Sequence, residues 1–296
     1  MNLSRCTMNS TNKFTKYFLL LFILNISCSS PRISVFALNY SPNFSKKFFL
    51  ADLGKTEKNA VKDPDNSLLQ FQASKKLITY LYGFSLNEAE ELKNQDYDKG
   101  KAAYLRAHND FIRSLNYINT SLVLDYPNYL LWINGQDNNE IKFKKESAEK
   151  LYWAAGAYAG VIQSSNGDPE WIIQLPKIGL LLEEGMKLDS SWNFGSFYTA
   201  MISYSMIRHD AKEDKFIVAK NYFKKAVEAS DGQDLSPYIS YAENIAVSSQ
   251  NKKEFTNMLY KALNIDIYAN PELTLTNYIG RKRANWLLDN IDELFY

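Results

Sequence analysis

Past Pro64, hydrophobic residues return every three to four positions, the spacing that gathers them on one face of an α-helix. In "KFIVAKNYFKKAVEAS" the shared face is Phe216, Ala219, Phe223, Ala226 and Val227. "SPYISYAENIAV" opens with Ser236 as a cap and Pro237 at the first helical position, where its missing N–H costs nothing. Tyr238, Tyr241, Ala242, Ile245 and Ala246 then keep the helical rule. "KKEFTNMLYKAL" repeats it with Phe255, Met258, Leu259, Ala262 and Leu263, and "RKRANWLLDNIDELFY" with Ala284, Leu287, Leu288, Ile291, Leu294 and Phe295. Strand-like alternation is not sustained anywhere in the body. The pattern predicts an all-α chain.

The helices end alike. "GMKLDSSW", "AVEASDGQ" and "ALNIDIYA" stop near Asp189, Ser230 and Asp266, and "SLVLDYPN" gives an earlier stop at Asp125. Units of this size, each holding one helix with bulky aromatics and a second with an Ala-rich end, are near the helix hairpins of about 34 residues that make tetratricopeptide repeats. "LYWAAGAYAGVI" places Ala154, Ala155, Gly156, Ala157, Ala159 and Gly160 between aromatics, so neighbouring backbones come close on more than one side. The expectation is a tetratricopeptide-like helix-hairpin solenoid, whose stacked pairs curve around a concave wall. Tyr80, Tyr82, Trp153, Tyr158, Phe197, Tyr204 and Tyr241 are aromatics that could face that wall, in competition with plain inter-helix core. Trp153, Tyr158, Tyr204 and Tyr241 are the four expected to contact a ligand or partner.

The N-terminus breaks the pattern. Arg5, Lys13 and Lys16 precede an unbroken apolar run from Tyr17 to Leu24. A membrane span needs about 20 apolar residues, so this run has the dimensions of a signal-peptide core. "LNISC" follows and resembles a relaxed lipoprotein processing box, with Asn25 where an aliphatic residue is usual. Cleavage before Cys28 would leave a thioether-linked diacylglycerol and an acylated amine, and several acyl chains anchor far better than one. The organisation read from this is a lipoprotein signal peptide over 1–27, a lipidated terminus and tether over 28–60, and the helical domain over 61–296. Ser29 to Ser45, rich in Ser, Pro and Asn, is expected to be irregular chain.

Composition removes several functions. The 296 residues carry 34 Lys plus Arg against 33 Asp plus Glu, a net charge of +1, and no long basic run that would call for nucleic acid. The only two cysteines, Cys6 and Cys28, precede the body, which therefore has no thiol nucleophile or cysteine metal site. His108 and His209 are too few for a histidine-based catalytic or zinc centre. Glu88, Glu90, Glu91, Asp96 and Asp98 form the densest carboxylate run, but they mix helix faces and alternate with lysines. No HExxH, GxSxG or P-loop occurs in the body. The sequence gives no metal, no cofactor and no enzyme.

"LYWAAGAYAGVIQSSNGDPEWIIQLPKIGLLLEEGMKLD", "AKNYFKKAVEASDGQDLSPYISYAENIAVSSQNKKEF" and "RKRANWLLDNIDELF" together resemble the T component of TRAP transporters. The resemblance runs from about Asp65 to Tyr296 and is most specific from Tyr241 to Phe255. At Tyr198 it departs, because a histidine is expected in many relatives. It implies a periplasmic lipoprotein of tetratricopeptide-like helix pairs that assembles as a homotrimer and docks the substrate-binding P component. It further implies a pore or cavity leading to a small apolar or amphipathic ligand, with no chemistry of its own. A second function stays open at this point, a lipoprotein scaffold that holds a protein segment during envelope assembly.

Overall fold

The structure is a computed structural model that describes residues 31–136 and 141–295. The apolar run at 17–24, the processing box and Cys28 lie outside the described residues. Every regular element among the described residues is helical. α1 (Pro31–Tyr40) and α2 (Pro42–Lys62) lead into α3 (Ser67–Tyr80), a π-turn (Leu81–Ser85) and α4 (Leu86–Gln95). The long α5 (Tyr97–Asp125) and short α6 (Tyr129–Ile133) follow, then α7 (Ala148–Ser164), α8 (Pro169–Ile172) and α9 (Leu175–Asp189). The C-terminal half holds α10 (Trp192–Ile207), α11 (Lys215–Ala229), α12 (Ser236–Ser240) and a second π-turn (Tyr241–Ala246). α13 (Lys252–Leu263), α14 (Thr274–Asp289) and α15 (Ile291–Leu294) complete it.

Helix starts are set by side chains that accept orphan backbone N–H groups. Asn66, Asp96, Asp168, Asp214 and Asn251 cap in this way, at 2.8–3.2 Å for Asp214 with Phe216 and Ile217. The Ser236 cap expected from sequence is not made. The Asp234 carboxylate instead accepts the Ser236 N–H at 2.8 Å, and Pro237 enters the first turn of α12 as expected. The predicted stops hold, with α5 ending at Asp125, α9 at Asp189 and α11 at Ala229.

Within the tether expected over 28–60, residues 31–40 and 42–60 are helical. Sequence composition hid this because α1 and α2 each contact the body by a narrow apolar stripe. Val35 (1% exposed) and Leu38 seat α1 on the C-terminal core, while Leu53 (3%) and Ala60 (0%) are the buried apolar residues of α2.

Helices pack in series against their sequence neighbours: α3 and α4 on α5, α5 on α7, α7 on α9, α9 on α10, α10 on α11, and α13 on α14. The chain is an all-α, tetratricopeptide-like pile of paired helices. Two cores result. The N-terminal one gathers Leu77, Ile78, Phe111, Ile118, Leu122, Tyr129 and Leu151, and extends to Leu181 and Phe197. The C-terminal one gathers Ile202, Leu235, Ile245, Phe255, Leu259, Ala262 and Leu287. α10 belongs to both, sending Phe197, Met201 and Tyr204 one way and Ile202 and Met206 the other.

The candidate ligand-facing aromatic site

Of the four aromatics expected to face a ligand, three are packed core. Tyr158 is 5% exposed, Tyr204 3% and Tyr241 4%. Each has a neighbour that explains it. Lys177 lies over the Tyr158 ring, and Tyr204 fills the space above Gly179, whose absent Cβ would meet it at 2.3 Å. The Tyr241 hydroxyl donates to Glu254, and burial together with that carboxylate holds the phenol's ionisation well above its usual range. Tyr158 and Tyr204 sit in the N-terminal core and Tyr241 in the C-terminal one, so the structure does not bring the four together. Trp153 is half-buried, with the Lys75 ammonium over its ring.

Two other tyrosines, Tyr82 and Tyr152, are set among aromatic neighbours. Tyr82, in the first π-turn, keeps 36% of its surface open, yet desolvation by surrounding protein raises its phenol strongly, with Tyr152 adding to the shift. Its hydroxyl donates to the Gly156 carbonyl at 3.1 Å, and its ring meets Phe111 edge-on at 5.1 Å. Tyr152, on α7, packs against Trp192 at 4.9 Å and Phe197 at 5.5 Å. Burial pushes its phenol up to about 12; the Asp234 charge adds to this, and a hydrogen bond with Ser196 opposes it. Both phenol hydroxyls therefore stay protonated at any physiological pH.

Tyr82 was among the sequence candidates, and Tyr152 was not. The signal was the doublet at Tyr152 and Trp153: adjacent positions on a helix differ by about 100° of rotation, so one of two neighbouring rings must turn elsewhere. π-turns re-aim side chains and recur at functional sites, and Tyr82 sits in one.

The titratable groups singled out by sequence are dispersed. Glu88 pairs with Lys46, Glu90 with Arg283 at 3.1 Å, and Asp96 caps α5, where the Lys99 ammonium and backbone lower its pKa. His108 is a satisfied structural residue, 3.1 Å from Ser164 Oγ and 3.2 Å from the Val161 carbonyl, with Trp171 edge-on at 5.9 Å. His209 lies just beyond the end of α10. Two open surface depressions exist as well. One, about 450 Å³, is lined by Glu149, Trp192, Phe194 and Glu272, and the other, about 840 Å³, runs along α13 from Asn251 to Tyr260. Neither is lined by Trp153, Tyr158, Tyr204 or Tyr241.

Helix pairs packed in series define a tetratricopeptide-like helical protein. The chain belongs to the TRAP transporter T-component family, whose family model matches residues 46–295. It is thus an accessory component of a TRAP transporter. It is also 20% identical over 240 residues to a protein of Treponema pallidum (strain Nichols), described as uncharacterized, with 79% of this chain and 74% of that protein covered. Among the described residues no helix is long and apolar enough to cross a membrane.

Proposed function

We propose that the protein is the lipid-anchored, periplasm-facing T component of its transporter, docking the substrate-binding P component as a homotrimer and handing over a small ligand. The observation that supports the ligand part is the aromatic wall in which Tyr82, 36% exposed, packs on Phe111 at 5.1 Å and Tyr152 packs on Trp192 and Phe197. Such a wall offers apolar ring surface and neutral hydroxyl groups. It suits an amphipathic molecule whose polar end takes one or two hydrogen bonds. Trp153 stands next to Tyr152 and keeps its expected place among the contacts. Tyr158 and Tyr204 belong to the core on which that wall stands, and Tyr241 to the other.

Anchoring rests on the apolar run and on Cys28, the one cysteine that cleavage before it would retain. Native mass spectrometry of the purified full chain tests assembly and cargo together. A trimeric mass carrying a co-purifying small molecule is expected. A monomer with nothing bound, capturing an envelope protein segment in place of the P component, would favour a scaffold. Cys28→Ser followed by fractionation tests the anchor, and continued membrane association would place it elsewhere.

A further inference from the structure

We propose that the outer face of α1 and α2 is a membrane-contact surface, seated in the headgroup region of the bilayer that holds the lipid anchor. The proposal rests on Cys28 being that anchor. Four large rings are exposed in residues 36–48: Phe36 (54%), Tyr40 (75%), Phe44 (45%) and Phe48 (49%). They form two i,i+4 pairs on consecutive helices, so each pair shares a helix face, and the Phe36 and Tyr40 rings touch with centroids 4.4 Å apart. Scattered single apolar residues are ordinary on a surface, whereas clustered rings of this size need a partner.

The opposite faces of both helices are occupied, which fixes the rings outward. Val35 and Leu38 bury α1 in the C-terminal core, and the Tyr278 hydroxyl donates to Asn39 Oδ1 at 2.6 Å. On α2, Leu53 is buried and Phe49 packs against Tyr80 at 6.2 Å and Phe84 at 6.4 Å. Lys46 is tied to Glu88, while Lys47 stays exposed between Phe44 and Phe48.

Position in the chain selects the bilayer as occupant. Cys28 stands three residues before the start of α1 and eight before Phe36. At no more than about 3.5 Å per residue, Phe36 cannot lie farther than about 28 Å from an anchored Cys28. Aromatic side chains favour the membrane interface, where a ring is buried and a hydroxyl or lysine stays wet. An amphipathic helix lies there with its apolar face sunk roughly 5–10 Å.

The test places tryptophan in the full chain by Phe44→Trp and Phe36→Trp, with Leu105→Trp on α5 as an exposed reference. Each protein is mixed with vesicles of phosphatidylethanolamine and phosphatidylglycerol, with and without acyl-brominated lipid, and emission above that of the parent chain is read. Emission from positions 36 and 44 should shift to the blue and lose about half its intensity to brominated lipid, with position 105 unchanged, as roughly 5–10 Å of immersion requires. Unshifted, unquenched emission at 36 and 44 would overturn the proposal. Shielding from aqueous iodide without any response to brominated lipid would overturn it too, in favour of a protein partner. The mass of the N-terminal peptide reports acylation of Cys28 separately. Quenching at position 44 with an unacylated Cys28 would therefore sink the anchor and leave the membrane contact standing.

Discussion

The two cores solve the same packing problem with different residues. In the N-terminal core, rings enter glycine sockets on the next helix. Phe111 of α5 sits over Gly160 of α7, and Tyr204 and Phe197 of α10 sit over Gly179 and Gly185 of α9. A Cβ at any of the three glycines would come within about 2.3 Å of a ring atom. The C-terminal core relies on fully buried alanines, Ala219, Ala242, Ala246, Ala262 and Ala284, all 0% exposed, whereas the N-terminal core has such alanines at 154 and 157 in addition to its sockets. A ring can enter only where no Cβ stands, so a glycine socket sets the axial register of two helices. A smooth alanine contact sets distance and leaves register to other contacts. Tyr82 and Tyr152 pack on Phe111 and Phe197, the rings that occupy sockets, so the proposed ligand wall rests on the half that holds the sockets.

The strongest way to break this comparison is Phe111→Ala, which empties the Gly160 socket in a fully buried site. It should cost about 3–5 kcal/mol of stability in denaturant unfolding. A cost below about 1 kcal/mol, within the usual range of a surface change, would show that the socket does not hold the core. Next is Gly160→Ala, expected to cost about 1–3 kcal/mol by overpacking against Phe111. In a Phe111→Leu background the same change should cost measurably less, and additive costs in this double-mutant cycle would deny the ring–socket coupling.

Between the halves, Arg283 on α14 reaches Glu90 of α4 and Glu243 of the second π-turn at 2.7–3.1 Å, while stacking on Trp286. These side chains are about a third exposed, so Arg283→Gln should cost only about 1 kcal/mol. Hydrogen exchange should still reveal faster opening of α4 and α14 together. Independent changes would mean that the ion pairs do not couple the halves.

The smallest effect concerns pH. Asp234 is 4% exposed, and desolvation raises its carboxyl pKa in the folded protein, opposed by the Ser236 N–H and hydroxyl. The folded state therefore binds this proton more tightly than the unfolded chain does. Its contribution is greatest below the unfolded value of about 3.9 and declines as pH rises through the raised value. Asp234→Asn keeps an acceptor for Ser236 N–H and removes the decline, so the variant should gain on the parent as pH rises. Asp210 acts in the opposite sense, held at about 2 by hydrogen bonding to Arg208, and cancels when parent and variant are compared. Parallel stability curves would contradict the assignment.

The all-α class and most helix ends were legible because period and caps are local properties. Phe255, Met258, Leu259 and Ala262 are buried as their spacing requires. Three things were hidden. The narrow inward stripes of α1 and α2 gave too little periodicity to outweigh their polar residues. The left-handed backbone of Asn193, Phe194 and Gly195, with φ of 46°, 57° and 77°, has a glycine at only one of its positions. And burial of Tyr158, Tyr204 and Tyr241 comes from contacts with other helices, which the period of one helix does not contain. Helical spacing says which rings share a face, whereas tertiary packing decides whether that face meets a neighbour or a hollow.

The central proposal is that this helical chain, a TRAP transporter T component, docks the transporter's substrate-binding subunit. Titrating the purified full chain with the substrate-binding P component of a TRAP transporter from the same organism, followed by calorimetry, tests that proposal most directly. The account predicts saturable binding at one P component per chain, weakened by substitutions in the Tyr82 and Tyr152 wall if ligand is shared across the contact. Absence of binding between the two folded proteins, with ligand present and absent, would contradict it.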